Sequence, residues 1–287
     1  MPHSITPADG VPATDPTLRL PRILCLHGGG TNSRIFRAQC RIIRRHLEHS
    51  FRLVFPDAPY FSKPGPDVTS VYADWGPFRT WMKPQPGAAN NPFSTPSRRA
   101  NDVLMPVHES DATEIINAID ASLADAMRVD DEAGATGEWF GLLGFSQGAK
   151  MAASLLLREQ GRMELAGLTY QSSLRPSRSP MFRFAVLLAG RGPLVTLDPD
   201  FQAFFGREEE VQEAILRLPT VHVHGLQDEG LAMHRDLRNR CCTKESTTLV
   251  EWDGNHRVPI KARDVAAVVA ALISLSTQTM LAATTHI

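Results

Sequence analysis

Apolar positions along this chain fall into short solid runs that alternate with stretches of three-and-four spacing. The first run, Arg22-Ile-Leu-Cys-Leu26, breaks into His27-Gly28-Gly29-Gly30, and so short an apolar run stopped by glycine predicts a strand buried on both faces. Ile35, Phe36, Gln39, Ile43 and Leu47 then share one face of a predicted helix that carries arginines on the other. Phe51 to Phe55 is a second strand, stopped by Pro56. Regular spacing returns at Ile115, Ile116, Ile119, Leu123 and Met127, a helix with Ser110 or Asp111 as its N-cap. After a turn at residues 134–137, Glu138 to Phe145 reads as a strand and Met151 to Leu157 as a helix. Further strands are predicted at Phe184–Leu188, Thr220–His224 and Thr248–Trp252, and a last helix at Val265, Val268, Val269 and Leu272. Alternating apolar strands and helices mean an α/β fold, with a mostly parallel sheet covered on both faces.

Residues 57–101 break this rhythm. They are dense in Pro, Gly, Ser and Asn, yet hold Tyr60, Phe61, Tyr72, Trp75, Phe78, Trp81 and Phe93. Disorder predicts few aromatics, so the segment from about 60 to 101 reads as a lid-like excursion over the site. With no internal repeat and no second core pattern, the expected organisation is one domain over residues 22–277. A flexible segment, 1–21, precedes it and a tail, 278–287, follows.

Composition narrows the classes of function. A net charge of −1 gives no broad pull towards nucleic acid or an anionic membrane. The short basic run from Arg41 to Arg45 sits at helical spacing and reads as a solvated face. Four cysteines, two of them adjacent at 241 and 242, suggest no disulfide framework, and a reduced, cytoplasmic setting is expected. The N-terminal residues lack the apolar core of a secretory signal, and no stretch is expected to approach the roughly 18 apolar residues of a membrane span.

Chemistry concentrates in Gly144-Phe145-Ser146-Gln147-Gly148. This G-x-S-x-G run follows an apolar strand and precedes a helix, the setting of a strained turn that lifts a serine hydroxyl above the sheet. A serine hydroxyl is a poor nucleophile until a base takes its proton. His256, in the turn after the last predicted strand, fits the base. Asp228, at the end of the penultimate strand, fits the acid between them, with Glu229 and Asp253 as competitors. The oxyanion of an acyl-transfer intermediate needs two N–H donors. Gln147 is one candidate, and Gly29, then Gly30, the other. His222 and His224 sit two apart on a strand, as a metal pair would, but no third ligand stands at a convincing spacing; they read as strand histidines. Lys150 reads as a surface residue. No metal and no cofactor is called for.

The runs Leu26-His-Gly-Gly-Gly30, Phe55-Pro-Asp-Ala-Pro59, Gly144-Phe-Ser-Gln-Gly-Ala149, His224-Gly-Leu-Gln-Asp228 and Gly254-Asn-His256 resemble the fungal family of serine hydrolases. Tyr72-Ala-Asp-Trp-Gly-Pro-Phe78 with Trp81 is similar to a segment of the trans-acting hydrolases and thioesterases of fungal polyketide pathways. The resemblance covers roughly Arg22 to Leu275. It implies the α/β-hydrolase fold, Ser146, Asp228 and His256 as a catalytic triad, and Gly29 and Gln147 as oxyanion donors. It further implies hydrolysis of an ester or thioester of a long or polyketide acyl chain through an acyl-serine. The partner expected is this small molecule, free or presented on a carrier protein of a polyketide synthase, with neither nucleic acid nor membrane. Tyr60, Trp75, Phe78 and Trp81, with Gly30, are expected to line the acyl pocket. Two competing readings share the fold: an acyltransferase using the same triad, and a ligand-binding protein without turnover, which needs no serine, acid and base together.

Overall fold

The computed structural model describes residues 15–66, 68–84, 104–105, 112–165, 182–198 and 215–284. Its first half runs β1 (Arg22–Leu26), α1 (Ser33–Gln39), α2 (Arg41–Leu47), β2 (Arg52–Val54), β3 (Tyr60–Phe61), α3 (Thr69–Tyr72), β4 (Arg79–Thr80) and β5 (Leu104–Met105). Then come α4 (Ala112–Glu132), β6 (Trp139–Phe145), α5 (Gln147–Leu165), β7 (Phe184–Leu188) and β8 (Leu194–Val195). The chain closes with β9 (Thr220–Gly225), α6 (Leu231–Cys241), β10 (Thr247–Trp252) and α7 (Ala262–Thr284).

Six strands form one sheet in the order β10-β9-β7-β6-β1-β2, and every neighbouring pair in it is parallel. Successive side chains of a strand point to opposite faces, and the core divides accordingly. Leu24, Leu26 and Leu142 pack with Ile119 of α4, Leu156 of α5 and Leu237 of α6. Ile23, Cys25 and Leu143 face the other way, onto Phe36 of α1, Ile43 of α2 and Val268 of α7. Each layer removes a continuous apolar face from water, the dominant favourable term in holding such a fold together.

Several expectations need revision. The single helix expected over Ile35 to Leu47 is two, because the chain turns at Cys40 (φ −81°, ψ 8°) before α2 begins. The N-cap expected at Ser110 or Asp111, Phe93 and residues 1–14 lie outside the described residues. Order begins before Arg22. Leu18 accepts a hydrogen bond from the Thr136 N–H (2.8 Å), and the Arg52 guanidinium bridges Asp15 and Asp130. The expected tail from 278 is helix as far as Thr284; Leu275, Ser276 and Thr279 are buried, which keeps the last turns on the core.

That same helix overturns the expectation that no apolar stretch reaches spanning length. Ala262–Leu281 is long and apolar enough by length and composition, with a mean hydropathy of 1.5. Its buried stripe of Val265, Val268, Leu272 and Leu275 faces the sheet, while Ala266, Ala267, Ala270, Ser274 and Gln278 face outward. Small alanines raise the average, and Val265, Val268, Leu272 and Leu275 are on the core, while Met280 and Leu281 are exposed.

Candidate active site

β6 ends at Phe145 and α5 starts at Gln147, so Ser146 alone makes the turn between them. It does so at φ 55°, a left-handed conformation that costs a non-glycine residue of order 1–3 kcal/mol. The surroundings hold it there: the Ser146 N–H donates to Leu188 O of β7 at 2.8 Å. A Cβ on Gly144 would sit 2.2 Å from Gly148 O, and one on Gly148 2.0 Å from Leu26 O. Both flanking glycines therefore allow backbone to touch backbone. The G-x-S-x-G pattern exists to permit this approach.

Ser146, His256 and Asp228 come together at one end of the sheet. His256 Nε2 lies 2.9 Å from Ser146 Oγ, and its Nδ1 lies 2.6 Å from Asp228 Oδ2. Asp228 follows β9 and His256 follows β10, two parallel neighbours, so both arrive at the same end of the sheet as Ser146. Of the competing acids, Glu229 is exposed, and Asp253 accepts a hydrogen bond from Gln227 Nε2 at 2.6 Å. Burial would push the Asp228 carboxyl up. Hydrogen bonds from His234 and His256, with the Gly230 N–H, instead hold it well below the usual carboxylate range. Sequence reasoning missed His234, whose Nε2 lies 2.9 Å from Asp228 Oδ2. Its place on α6, six residues after Asp228, was the available signal.

The glycine-rich loop after β1 is fastened from below. His27 Nε2 accepts the Ala58 N–H at 3.0 Å, and its Nδ1 lies 2.8 Å from Gly28 O. Burial lowers this imidazole to about 4, so it is neutral. The Gly29 N–H meets no acceptor among the described residues, and a Cβ on Gly29 would lie 3.0 Å from Gln147 Oε1. Gln147 opens α5, so its N–H has no acceptor within the helix. Gly30 differs: at φ 72°, its N–H donates to Arg79 O at 2.8 Å and is already spent. That removes it as an alternative oxyanion donor.

Trp81 is not a pocket wall. It is fully buried, its Nε1–H donates to His27 O at 2.8 Å and its backbone N–H to Gln147 Oε1 at 2.9 Å. Thr80 Oγ1 donates to the same oxygen at 3.0 Å. Trp75 stacks under the Arg34 guanidinium (4.1 Å) and meets Tyr72 edge-on. Tyr60 packs against the core, and Phe78 O accepts the Ser62 N–H at 2.9 Å. None of the contacts described for Tyr60, Trp75 or Phe78 reaches Ser146 or His256. A groove of about 650 Å³ runs along the β2 edge, lined among others by Arg37, Arg41, Arg44, Arg52, Asp15 and Asp130.

Lys150, expected at the surface, is buried within α5, and burial lowers its ammonium to about 8. An α5 packed between the sheet and β8 has little outer face to offer. His222 and His224 are buried too, lowered by burial to about 3 and about 4. His222 Nε2 lies 3.1 Å from Thr220 Oγ1. Donor atoms of Asp228, His234 and His256 lie within 4.8 Å of one another. Their separations of 2.6 and 2.9 Å are those of hydrogen bonds; two ligands of a tetrahedral zinc stand roughly 3.3 Å apart. All four cysteines are free thiols.

A parallel sheet with helices on both faces, and a serine on the strained turn after its central strand, defines the α/β-hydrolase class. The chain belongs to the serine hydrolase (FSH1) family, whose model matches residues 17–268. It is 52% identical to a probable esterase of Aspergillus terreus, over 93% of this chain and 94% of that protein. It is 51% identical to esterase pigG of Monascus ruber, over 92% and 94%. Against the probable esterase azaC of Aspergillus niger identity is 48%, over 92% and 88%. The protein is a hydrolase of this esterase family.

Proposed function

We propose that the chain cleaves a small acyl ester or thioester through an acyl-Ser146 intermediate. The observation that carries this reading is the unbroken line from Ser146 Oγ through the His256 ring to Asp228 Oδ2, with contacts of 2.9 and 2.6 Å. His256 Nε2 takes the serine proton as Oγ attacks the carbonyl carbon, and Asp228 holds Nδ1–H so that Nε2 is the basic nitrogen. The carbonyl oxygen becomes an oxyanion facing the N–H groups of Gly29 and Gln147. Collapse of the intermediate expels the alcohol or thiol, which takes the proton from His256. Water, deprotonated by the same imidazole, then releases the acid and restores Ser146. The substrate of this reading is an acyl chain of polyketide length, arriving free or on a carrier protein. Esterase names among the relatives support ester chemistry.

The test is labelling with a fluorescent fluorophosphonate, followed by gel and intact mass. Wild type is expected to gain one adduct, and Ser146→Ala none. Folded wild type that resists both this probe and smaller organophosphates would overturn the reading.

A further inference from the structure

Behind Asp228 stands a second histidine, completely buried on α6. Its Nδ1 lies 2.9 Å from Gly190 O and its Nε2 lies 2.9 Å from Asp228 Oδ2. A carbonyl oxygen only accepts hydrogen bonds, so Nδ1 carries a proton. The contact at Nε2 also needs one, on the ring or on the carboxyl. Asp228 Oδ2 already receives Nδ1–H of His256, and Oδ1 receives the Gly230 N–H at 2.7 Å. Three donors converging on one carboxyl group are the surroundings of a carboxylate, which leaves the proton on His234.

Titratable and charged groups approach this ring from several sides. Asp228 comes from the turn after β9, His256 from the turn after β10 with its ring stacked at 5.8 Å, and His224 from β9 with its ring at 5.9 Å. From the loop after β7 comes Arg191, whose guanidinium sits against Gly230. Burial lowers His224 to about 4 and keeps it neutral, and Asp228 is the one carboxyl among these groups.

We propose that His234 is a positioning residue, an imidazolium strapped between Gly190 O and Asp228, which aims the carboxylate at His256 and moderates its negative charge. An acid with two imidazole partners differs from a simple triad acid in two ways. Its orientation is held from both sides. It also shares its charge, so it binds a proton on His256 less strongly than a lone carboxylate would. The proposal rests on the triad reading above.

Two measurements test it. In the resting enzyme labelled with ¹⁵N-histidine, ring-nitrogen spectra at pH 8 are expected to show both nitrogens of His234 protonated, the signal being assigned by its loss in His234→Gln. A neutral His234 ring, with one bare nitrogen, would overturn the proposal. This readout needs no turnover, so it stands whether or not Ser146 proves to be the nucleophile. The second is the pH dependence of kcat/KM on a p-nitrophenyl ester. His234→Phe keeps a ring but no donor, and is expected to lower kcat roughly 10- to 100-fold with KM little changed. His234→Gln restores one neutral donor towards Asp228. It is expected to recover most of kcat while its acid limb moves up by about one pH unit, as the undiluted carboxylate favours protonated His256. An acid limb unmoved in His234→Gln would mean that the residue only fills space.

Discussion

His27 and His234 are both fully buried, and each ties a loop to one side of the site, yet their ring nitrogens meet opposite partners. His27 lies under the glycine-rich loop, with Nε2 accepting the Ala58 N–H and Nδ1 donating towards Gly28 O. One donor and one acceptor make a neutral ring, and burial favours that form. His234 meets an acceptor at each nitrogen. Equal burial thus leads to different chemistry, because the partners, and not the depth, decide what a ring must donate. On the Ser146 side the histidine supplies shape; on the Asp228 side it supplies shape and charge.

The sharpest way to break this contrast is to remove the charge on one side and the ring on the other. Asp228→Asn is expected to lower kcat on the order of 10⁴-fold, because the amide leaves His256 with the wrong tautomer and His234 without its counter-charge. His27→Gln keeps an acceptor for the Ala58 N–H, and its kcat is expected to stay within roughly tenfold of wild type. Steady-state rates on one activated ester compare the two. Equal losses would mean that the two sides do not divide the work in this way.

How much of this was legible depends on how local each constraint is. The turn at Ser146 announces itself, because Gly144 and Gly148 are needed by backbone contacts only a few residues or one strand away. Strands β1, β6 and β7 were equally plain, being solid apolar runs in a sheet covered on both faces. His256 and Asp228 followed from chain order, since each ends a predicted strand. His234 was hidden: its meaning depends on the carbonyl of Gly190, distant in sequence by 44 positions. Trp81 looked like a pocket aromatic because nothing local shows that its indole N–H reaches back to His27 O. Lys150 looked exposed because a charged residue on a helix usually is. The end of α7 looked like a tail because its apolar pattern weakens after Leu275, although Ser276 and Thr279 stay buried.

The contrast also has a signature in acid. His27 is lowered from 6.5 to about 4 in the fold, so the unfolded chain takes up a proton first as pH falls. Stability from this group is complete above about pH 6.5 and is lost between there and about pH 4. At pH 5 the loss from His27 alone is about 2 kcal/mol. His222 and His224, also lowered, push in the same direction. Unfolding free energies from urea titrations at pH 7.5 and pH 5 are expected to differ in wild type, and by about 2 kcal/mol less in His27→Gln. The same pH dependence in both proteins would remove His27 as its source.

The smallest effect tests the joint between the end of β4 and the start of α5. Gln147 Oε1 accepts both Thr80 Oγ1–H and the Trp81 N–H. Thr80→Val deletes the first donor but leaves the oxygen with the second, so no buried acceptor is stranded. Valine matches threonine in shape, and only the net worth of one neutral hydrogen bond is lost, about 0.5–1.5 kcal/mol. The expected value lies at the low end of that range in a denaturant titration, with kcat changed by less than about threefold, since the Gln147 N–H is untouched. A loss above about 3 kcal/mol would mean that Thr80, and not Trp81, anchors Gln147. The strap from residue 80 to Gln147 would then be the stiffest part of the Ser146 side.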